Sequence, residues 1–361
     1  GNNNDGQLGI GSTSNKTSPI KVTTNVVSVA SGYSHTFILK KDGTLWACGH
    51  NYWGQLGDGT KTDKTTPIKV MDNATSVSTG FGHTLVLKKD GTLWGCGDNS
   101  TGELGDPGGV FRDGNSGIDF KNFVKIMSDV AYVSASKSSS TFILKTDGTL
   151  WTCGYNQYGQ LGDGEPQYQV RTPENIMSDV VSVAGGYYHT LFLKKDGTLW
   201  GCGRNEIGEL GDGTWTKRDS PIEIMKDVAS MAAGNSFSLI LKTDGTLWAC
   251  GRNEYGQLGD GTTQKSYTPI KIMEGVGLSQ DYDISLSTDG YATFFDSRSA
   301  YTLPNGLSAQ VVTNVSEGKL TFKTIADGSV NGRVPKGVPV MLISITGNPF
   351  GPRPFTEPSA I

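Results

Sequence analysis

No stretch of this 361-residue chain is apolar for long enough to cross a bilayer, and no run of like charges interrupts it. Charged residues make up only 18% of the chain and the formal net charge is −4, which removes the basic surface that nucleic acid or an anionic membrane requires. The five cysteines contain no Cys-x-x-Cys pair, so the ligand spacing of a zinc-type cluster is missing. No Gly-x-Ser-x-Gly elbow, Walker loop or His-Glu-x-x-His sequence occurs. The glycine-rich run Gly201-Cys202-Gly203 has no helix after it, which excludes a dinucleotide fingerprint. These absences leave no expected cofactor and no expected resident metal.

What the chain has is a period. Asp-Gly-Thr-Leu-Trp occurs at residues 42–46, 90–94, 147–151, 196–200 and 244–248. The sequence Asn-x-x-Gly-[Gln/Glu]-Leu-Gly begins at Asn3, Asn51, Asn99, Asn156, Asn205 and Asn253, so successive starts are 48, 48, 57, 49 and 48 residues apart. The 50 glycines are spread through this period rather than pooled in a linker, which indicates turn-dense β structure. Within one repeat, residues 27–32 and 35–40 read as strands, and Asp42-Gly43 as a two-residue type I′ hairpin turn. Residues 44–48 read as a third strand, residues 51–59 as a loop, and residues 66–70 as an edge strand opened by Pro67. Four short antiparallel strands per period of about 48 residues specify a β-propeller blade.

The chemistry-bearing side chains follow the same phase. Cys48, Cys96, Cys153, Cys202 and Cys250 recur two residues after the repeated tryptophan, as a ring of small buried side chains. His35, His83 and His189 share one position that Ser140 and Phe237 occupy elsewhere; a position that accepts phenylalanine is a packing site. Asp42, Asp90, Asp147, Asp196 and Asp244 are turn residues by phase. The polar loop position alternates between Gln7, Gln55, Gln160, Gln257 and Glu103, Glu209, which identifies a loop brace rather than a catalytic group.

The period fails in two places. Residues 106–120 form an insertion, and insertions in repeat proteins map to loops on one face, often the binding face. Asp113, Asn115 and Asp119 there have the alternate spacing of calcium ligands, but the missing glutamate at the twelfth position makes a poor EF-hand, and a solvated loop is the expectation. After residue 275 the pattern decays, and residues 307–315, 319–325 and 338–345 read as strands of a small separate β module. The expected organisation is a propeller over 1–280, with its first repeat truncated, a β module over 281–347 and a proline-rich tail over 348–361. The opening Gly1-Asn2-Asn3 matches Gly49-His50-Asn51, so the chain is expected to begin partway through a repeat and to lack any upstream targeting segment.

The combination Gly-x-x-His-Thr, Asp-Gly-Thr-Leu-Trp-x-Cys-Gly and Asn-x-x-Gly-Gln-Leu-Gly, over residues 1 to about 275, resembles the regulator-of-chromosome-condensation repeat family. The resemblance implies an all-β propeller of six or seven four-stranded antiparallel blades, with the small C-terminal β domain appended. The family includes a nucleotide-exchange factor for the small GTPase Ran, a plant ultraviolet receptor and secreted bacterial β-lactamase inhibitors. The receptor's tryptophan positions hold Tyr33, Phe81 and Tyr187 here, so light sensing is not implied. The tandem regularity and the polar, weakly charged surface resemble bacterial extracellular members, and the C-terminal stretch resembles small β modules trailing bacterial surface proteins. The expected function is a non-enzymatic scaffold outside the cell or on its surface, binding a protein or a surface glycan, with neither nucleic acid nor membrane as partner. The alternative is an exchange factor or GTPase regulator. Expected contacts are the aromatic and arginine residues that break the repeat: Trp53, Phe111, Arg112, Phe120, Tyr168, Arg171, Trp215 and Tyr267.

Overall fold

The computed structural model describes residues 1–105, 119–165 and 167–276, together with the backbone of four short strands between 301 and 334. Five four-stranded antiparallel sheets follow one another along the chain. The first is β1 (Val26–Ser31), β2 (His35–Lys40), β3 (Leu45–Gly49) and β4 (Lys64–Met71), hydrogen-bonded in that order. The second is β5 (Ala74–Thr79), β6 (His83–Lys88), β7 (Leu93–Gly97) and β8 (Phe120–Met127). The third is β9 (Val130–Ala135), β10 (Ser140–Lys145), β11 (Leu150–Tyr155) and β12 (Gln169–Met177). The fourth is β13 (Val180–Gly185), β14 (His189–Lys194), β15 (Leu199–Gly203) and β16 (Arg218–Met225). The fifth is β17 (Val228–Ala233), β18 (Phe237–Lys242), β19 (Leu247–Gly251) and β20 (Ser266–Met273). The first strands of successive sheets lie against one another, so these are propeller blades whose first strand is innermost.

Beyond the blades, β22 (Ser308–Ser316) pairs with β23 (Lys319–Asp327), and β21 (Tyr301–Thr302) with β24 (Arg333–Val334). The strand expected over 338–345 lies outside the described residues. No helix among the described residues is long and apolar enough to cross a membrane.

Alternation along the second and third strands sends successive side chains to opposite faces, so each blade contributes to two cores. Phe37, Leu39, Leu45 and Leu56 of the first blade pack with Ala74 and Val86 of the second. Ile143 joins the second blade's Leu85 and Leu104, whereas its neighbour Phe142 faces Val180, Val183 and Phe192 of the fourth. The repeated tryptophans Trp151, Trp200 and Trp248 pack onto the core of the preceding blade. Trp46 has no such sheet among the described residues; with Val22, Thr23, Ile38, Lys40 and Pro67 it lines a cleft of about 150 Å³.

Two turn expectations are corrected. The Asp42-Gly43 hairpin is a three-residue loop rather than a two-residue type I′ turn. Gly43 N donates to Lys40 O at 3.0 Å, Lys40 N donates to Thr44 O at 3.0 Å, and Gly43 alone takes a positive φ, of 79°. A right-handed turn closed by a left-handed glycine supplies the strand twist without asking Asp42 to leave its preferred region; Asp42 instead accepts from Thr44 N and Oγ1. Pro67 does not open its strand. It sits inside β4, where the register slips between Ala47↔Ile68 and Gly49↔Lys64, so its missing N–H falls in a bulge on the edge strand.

The histidine position shows how tightly the blades are specified. A Cβ on Gly32, Gly80 or Gly186 would lie 2.1, 2.2 or 2.4 Å from the ring of His35, His83 or His189, and one on Gly234 would lie 2.3 Å from Phe237. Each ring therefore packs directly against a glycine, in space that a Cβ would fill. In the third blade the ring is replaced by the small Ser140, and the glycine is replaced by Ser136, whose Oγ accepts from Ser140 N at 3.0 Å. Burial holds the imidazoles neutral, lowering His35 to about 3 and His83 and His189 to about 4.

The pairing of ring with glycine yields a double-mutant cycle. Gly80→Ala should cost about 1–3 kcal/mol through overpacking, read as a fall in the urea midpoint. Gly80→Ala combined with His83→Ser should recover most of that loss relative to His83→Ser alone, because the third blade already uses small residues at both positions. Strictly additive losses would contradict the pairing.

Candidate functional site: the aromatic face

The loop that begins each Asn-x-x-Gly-[Gln/Glu]-Leu-Gly motif belongs to one blade but rests on the next. Asn51 Oδ1 accepts from Leu56 N at 3.0 Å, while its amide donates to Asp58 Oδ1 at 3.0 Å and to Thr60 O and Thr62 O at 3.2 Å. Leu56 is thereby driven into the core between the first and second blades. One side-chain oxygen of each brace accepts the backbone N–H two residues earlier, at 3.0 Å in Gln7, Gln55 and Gln160 and 2.9 Å in Glu103, Glu209 and Gln257. Glutamine and glutamate interchange because only the acceptor is needed.

The brace's backbone carbonyl clasps the following blade. Gln55 O accepts from Thr84 Oγ1 at 2.9 Å and from the Cys96 thiol at 3.3 Å. Glu103 O does the same with Thr141 at 2.6 Å, Gln160 O with Thr190 at 2.7 Å and Glu209 O with Ser238 at 2.6 Å. Burial pushes the Cys48 and Cys250 thiols up to about 12, so these cysteines serve as packing groups and weak donors. Residues 1–11 are the same loop seated on the first blade, with Gly6 against Thr65 and Gly9 against Cys48 and Pro67.

These clasped loops and the first-to-second-strand turns emerge at the same end of the blades, and that end carries the aromatic residues. In one cluster Phe81 lies 4.8 Å from Tyr33 and 5.8 Å from Trp53, and Trp53 is 5.2 Å from His50 and 5.5 Å from Tyr52. In a second, Tyr188 lies 4.4 Å from both Tyr158 and Tyr187 and 6.2 Å from Tyr155, which meets Tyr168 edge-on at 5.1 Å. The Arg204 guanidinium stands 5.8 Å above Tyr158, and Arg252 stands 5.4 Å above Tyr255. Tyr33 and Tyr255 are 73% and 72% exposed, so the face presents ring surface to solvent. Burial, and then Tyr187, pushes Tyr188 up to about 12, which keeps its phenol protonated.

The second blade interrupts the aromatic series. Its loop carries Asp98, Ser100 and Thr101, and beneath them the buried Glu103, whose Oε1 has no hydrogen-bond partner. Burial, and then the charge of Asp98, raises the Glu103 carboxyl to about 8.

The residues expected to make contacts divide by position. Trp53 and Tyr168 lie in the two aromatic clusters. Trp215 is 70% exposed and meets Tyr267 at 6.2 Å, near the start of the outer strand β20 and apart from those clusters. Phe120 is half-buried against the core shared by the second and third blades. Arg171 donates to Ser100 O at 2.9 Å, and its backbone closes on Gly102, so it ties β12 to the loop before it. Phe111 and Arg112 lie outside the described residues. Asp119, at the margin of the insertion, pairs with Lys61 at 2.6 Å. Sequence reasoning passed over Tyr33, Phe81 and Tyr187 as members of the clusters because they recur at one repeat position, and it also missed Tyr188, which departs from the Ser34, Gly82, Ser139 and Ser236 of the other blades.

Glu103 sets a pH signature. Its folded value of about 8 exceeds the ordinary 4.5, so the folded state holds a proton that the unfolded state has lost between those limits, and stability falls as pH rises through that window. Glu103→Gln, which places the residue found at four equivalent loops, should stabilise the protein at pH 9 by about 1–3 kcal/mol and leave it unchanged near pH 4. Equal effects at both pH values, measured by urea unfolding, would contradict the buried-acid assignment.

Comparison with known proteins places this geometry. Residues 1–295 match the RCC1-like domain family. Human WBSCR16 is 24% identical with a TM-score of 0.60, the match covering 70% of this chain and 67% of that one. Yeast RCC1 (Prp20), solved bound to Kap60, is 23% identical with a TM-score of 0.59, covering 69% of this chain and 61% of that one. Prp20p from Saccharomyces cerevisiae, described with its binding properties to Gsp1p and histones, is 23% identical with a TM-score of 0.57, and the match spans 63% of its length. The chain thus spans about three-fifths to two-thirds of these solved structures, whose likeness is one of fold. No curated protein matches the sequence. From its repeats, its five blades and this match over residues 1–295, the chain belongs to the RCC1-like domain family.

Proposed function

We propose that this propeller is a non-enzymatic platform for a protein partner, which docks on the face bearing the Tyr33–Trp53–Phe81 and Tyr155–Tyr158–Tyr187–Tyr188 clusters. The observation that carries the reading is the exposure of Tyr33, Phe81 and Tyr187 above half-buried ring neighbours, with Arg204 standing over Tyr158. Large rings and arginine anchor protein interfaces because they bury much area for little lost side-chain freedom. The rings within these clusters meet at 37–69° rather than forming one flat platform, which suits a contoured protein surface better than the flat face of a sugar ring. That yeast RCC1 was solved with Kap60, and Prp20p described with Gsp1p and histones, supports protein as the partner class.

The histidines support a binding role over chemistry. Each lies on a glycine and reaches across to the next blade, His35 Nε2 to Thr84 Oγ1 at 3.3 Å and His189 Nε2 to Ser238 Oγ at 3.0 Å, leaving little for a substrate. Placement outside the cell or at its surface belongs to the same proposal and rests on the weakly charged repeat pattern. The fold shared with Prp20p favours a second reading, nucleotide exchange on a small GTPase, which predicts accelerated nucleotide release where the platform predicts none.

Two paired variants test the face. Trp53→Ala with Phe81→Ala, and Tyr158→Ala with Tyr188→Ala, should each weaken capture of the protein's partner by about tenfold or more, whereas Trp215→Ala, away from the clusters, should not. Undiminished capture by both paired variants, with folding verified by circular dichroism, would overturn the assignment.

A further inference from the structure

In two loops the brace meets the residue five positions before it. Gln55 Nε2 meets His50 Nδ1 at 2.8 Å, and Glu209 Oε1 faces the Arg204 guanidinium at 3.7 Å. In the second blade both positions are acids, Asp98 and Glu103, and neither carboxylate has an ion-pair partner among the described residues. Glu103 is 1% exposed; Oε2 is satisfied by Thr101 N at 2.9 Å, and Oε1 is buried with no partner. By the geometry of the equivalent loops, that oxygen faces the position of Asp98. A buried carboxylate oxygen without a donor is costly; in the fourth blade the equivalent Glu209 Oε1 also accepts no hydrogen bond, but there the Arg204 guanidinium, hydrogen-bonded to Glu206, stands 3.7 Å away as a counter-charge.

The wall of the slot is aromatic. A Cβ on Gly82 would touch the Trp53 indole at 3.1 Å and Asp98 Cβ at 3.2 Å, so the two side chains crowd the same point above this glycine. Phe81 adjoins, 5.8 Å from Trp53. Lys137 lies on the turn of the next blade, exposed and not ion-paired to Asp98 or Glu103. A carboxylate pair beside an indole face recognises an organic cation, since the ring quadrupole and the carboxylates attract the same charge.

We propose that the Asp98–Glu103 slot beside Trp53 receives a lysine or arginine side chain of the protein partner, supplying the cation that Arg204 supplies to Glu209. This rests on the aromatic face being the docking face, and it names the partner's chemistry: a basic segment whose side chain inserts between Trp53 and Asp98. Half-buried Asp98 makes the direct contact, and Glu103 ionises behind it. Binding therefore releases a proton near pH 7, because Glu103 is protonated in the empty slot.

The test uses tetralysine and tetra-arginine as probes, titrated into the whole chain by calorimetry at pH 7 and low salt in buffers of different ionisation enthalpy. The wild type should bind with release of up to one proton. Asp98→Arg, which fills the slot as the fourth blade does, should weaken binding by about tenfold or more and abolish the proton release. Asp244→Asn, which removes one acid from a hairpin at the opposite end of a blade, should change neither. Failure of the wild type to bind, equal weakening in Asp98→Arg and Asp244→Asn, or binding without proton release would each overturn the slot. Loss of partner capture in the aromatic variants would still stand if the slot failed, so the two proposals fail separately.

Discussion

The backbone carbonyl of the loop brace holds the blades in register. Gln55 O, Glu103 O, Gln160 O and Glu209 O each leave their own blade and accept a hydroxyl and a thiol from the next. A buried carbonyl must be paired, and in these loops its donors come from the neighbouring sheet. The asparagine sets the loop, the leucine plugs the core between the blades, and the glycines let the chain press against the neighbouring outer strand, as where a Cβ on Gly54 would lie 2.5 Å from Lys121 Cα. A propeller buries little within a single sheet, so this joint couples hydrophobic burial to blade order.

The same joint makes the functional face. Because the loops are clasped beneath, the residues at their tips ride on a fixed base, and rings from separate blades meet: Trp53 of the first blade with Phe81 of the second, Tyr158 of the third with Tyr188 of the fourth. Ordering paid for by folding is not paid again on binding, which suits a preformed docking surface. Variation at the tips leaves the joint untouched. That is how one repeat carries His50, Asp98, Tyr155, Arg204 and Arg252 at a single position.

The architecture was readable because its cause is periodic. The recurrence of Asp-Gly-Thr-Leu-Trp with the Asn loop placed all four strands of each blade, and the swap of Gln for Glu marked the brace as an acceptor. Local preference misled where the neighbours decide: Asp42-Gly43 favours a two-residue turn in isolation, but Lys41 joins it in a three-residue loop, and Pro67 is accommodated by a bulge that no dipeptide rule contains. The pairing of His83 with Gly80 depends on a contact of about van der Waals closeness that sequence does not display. At the candidate face, looking for departures from the repeat found Trp53 and Tyr168. It also gathered Phe120 and Arg171, which pack and tie blades, and it passed over Tyr33, Phe81, Tyr187 and Tyr188.

The joint itself is most directly tested by Thr84→Val, which keeps shape and removes the donor to Gln55 O and the acceptor for His35 Nε2. Hydrogen–deuterium exchange should rise in β1–β3 and β5–β7 at the first joint, with a stability loss of about 1–3 kcal/mol, and stay unchanged in β17–β20. Protection in β1–β3 and β5–β7 equal to that of the wild type would contradict the account.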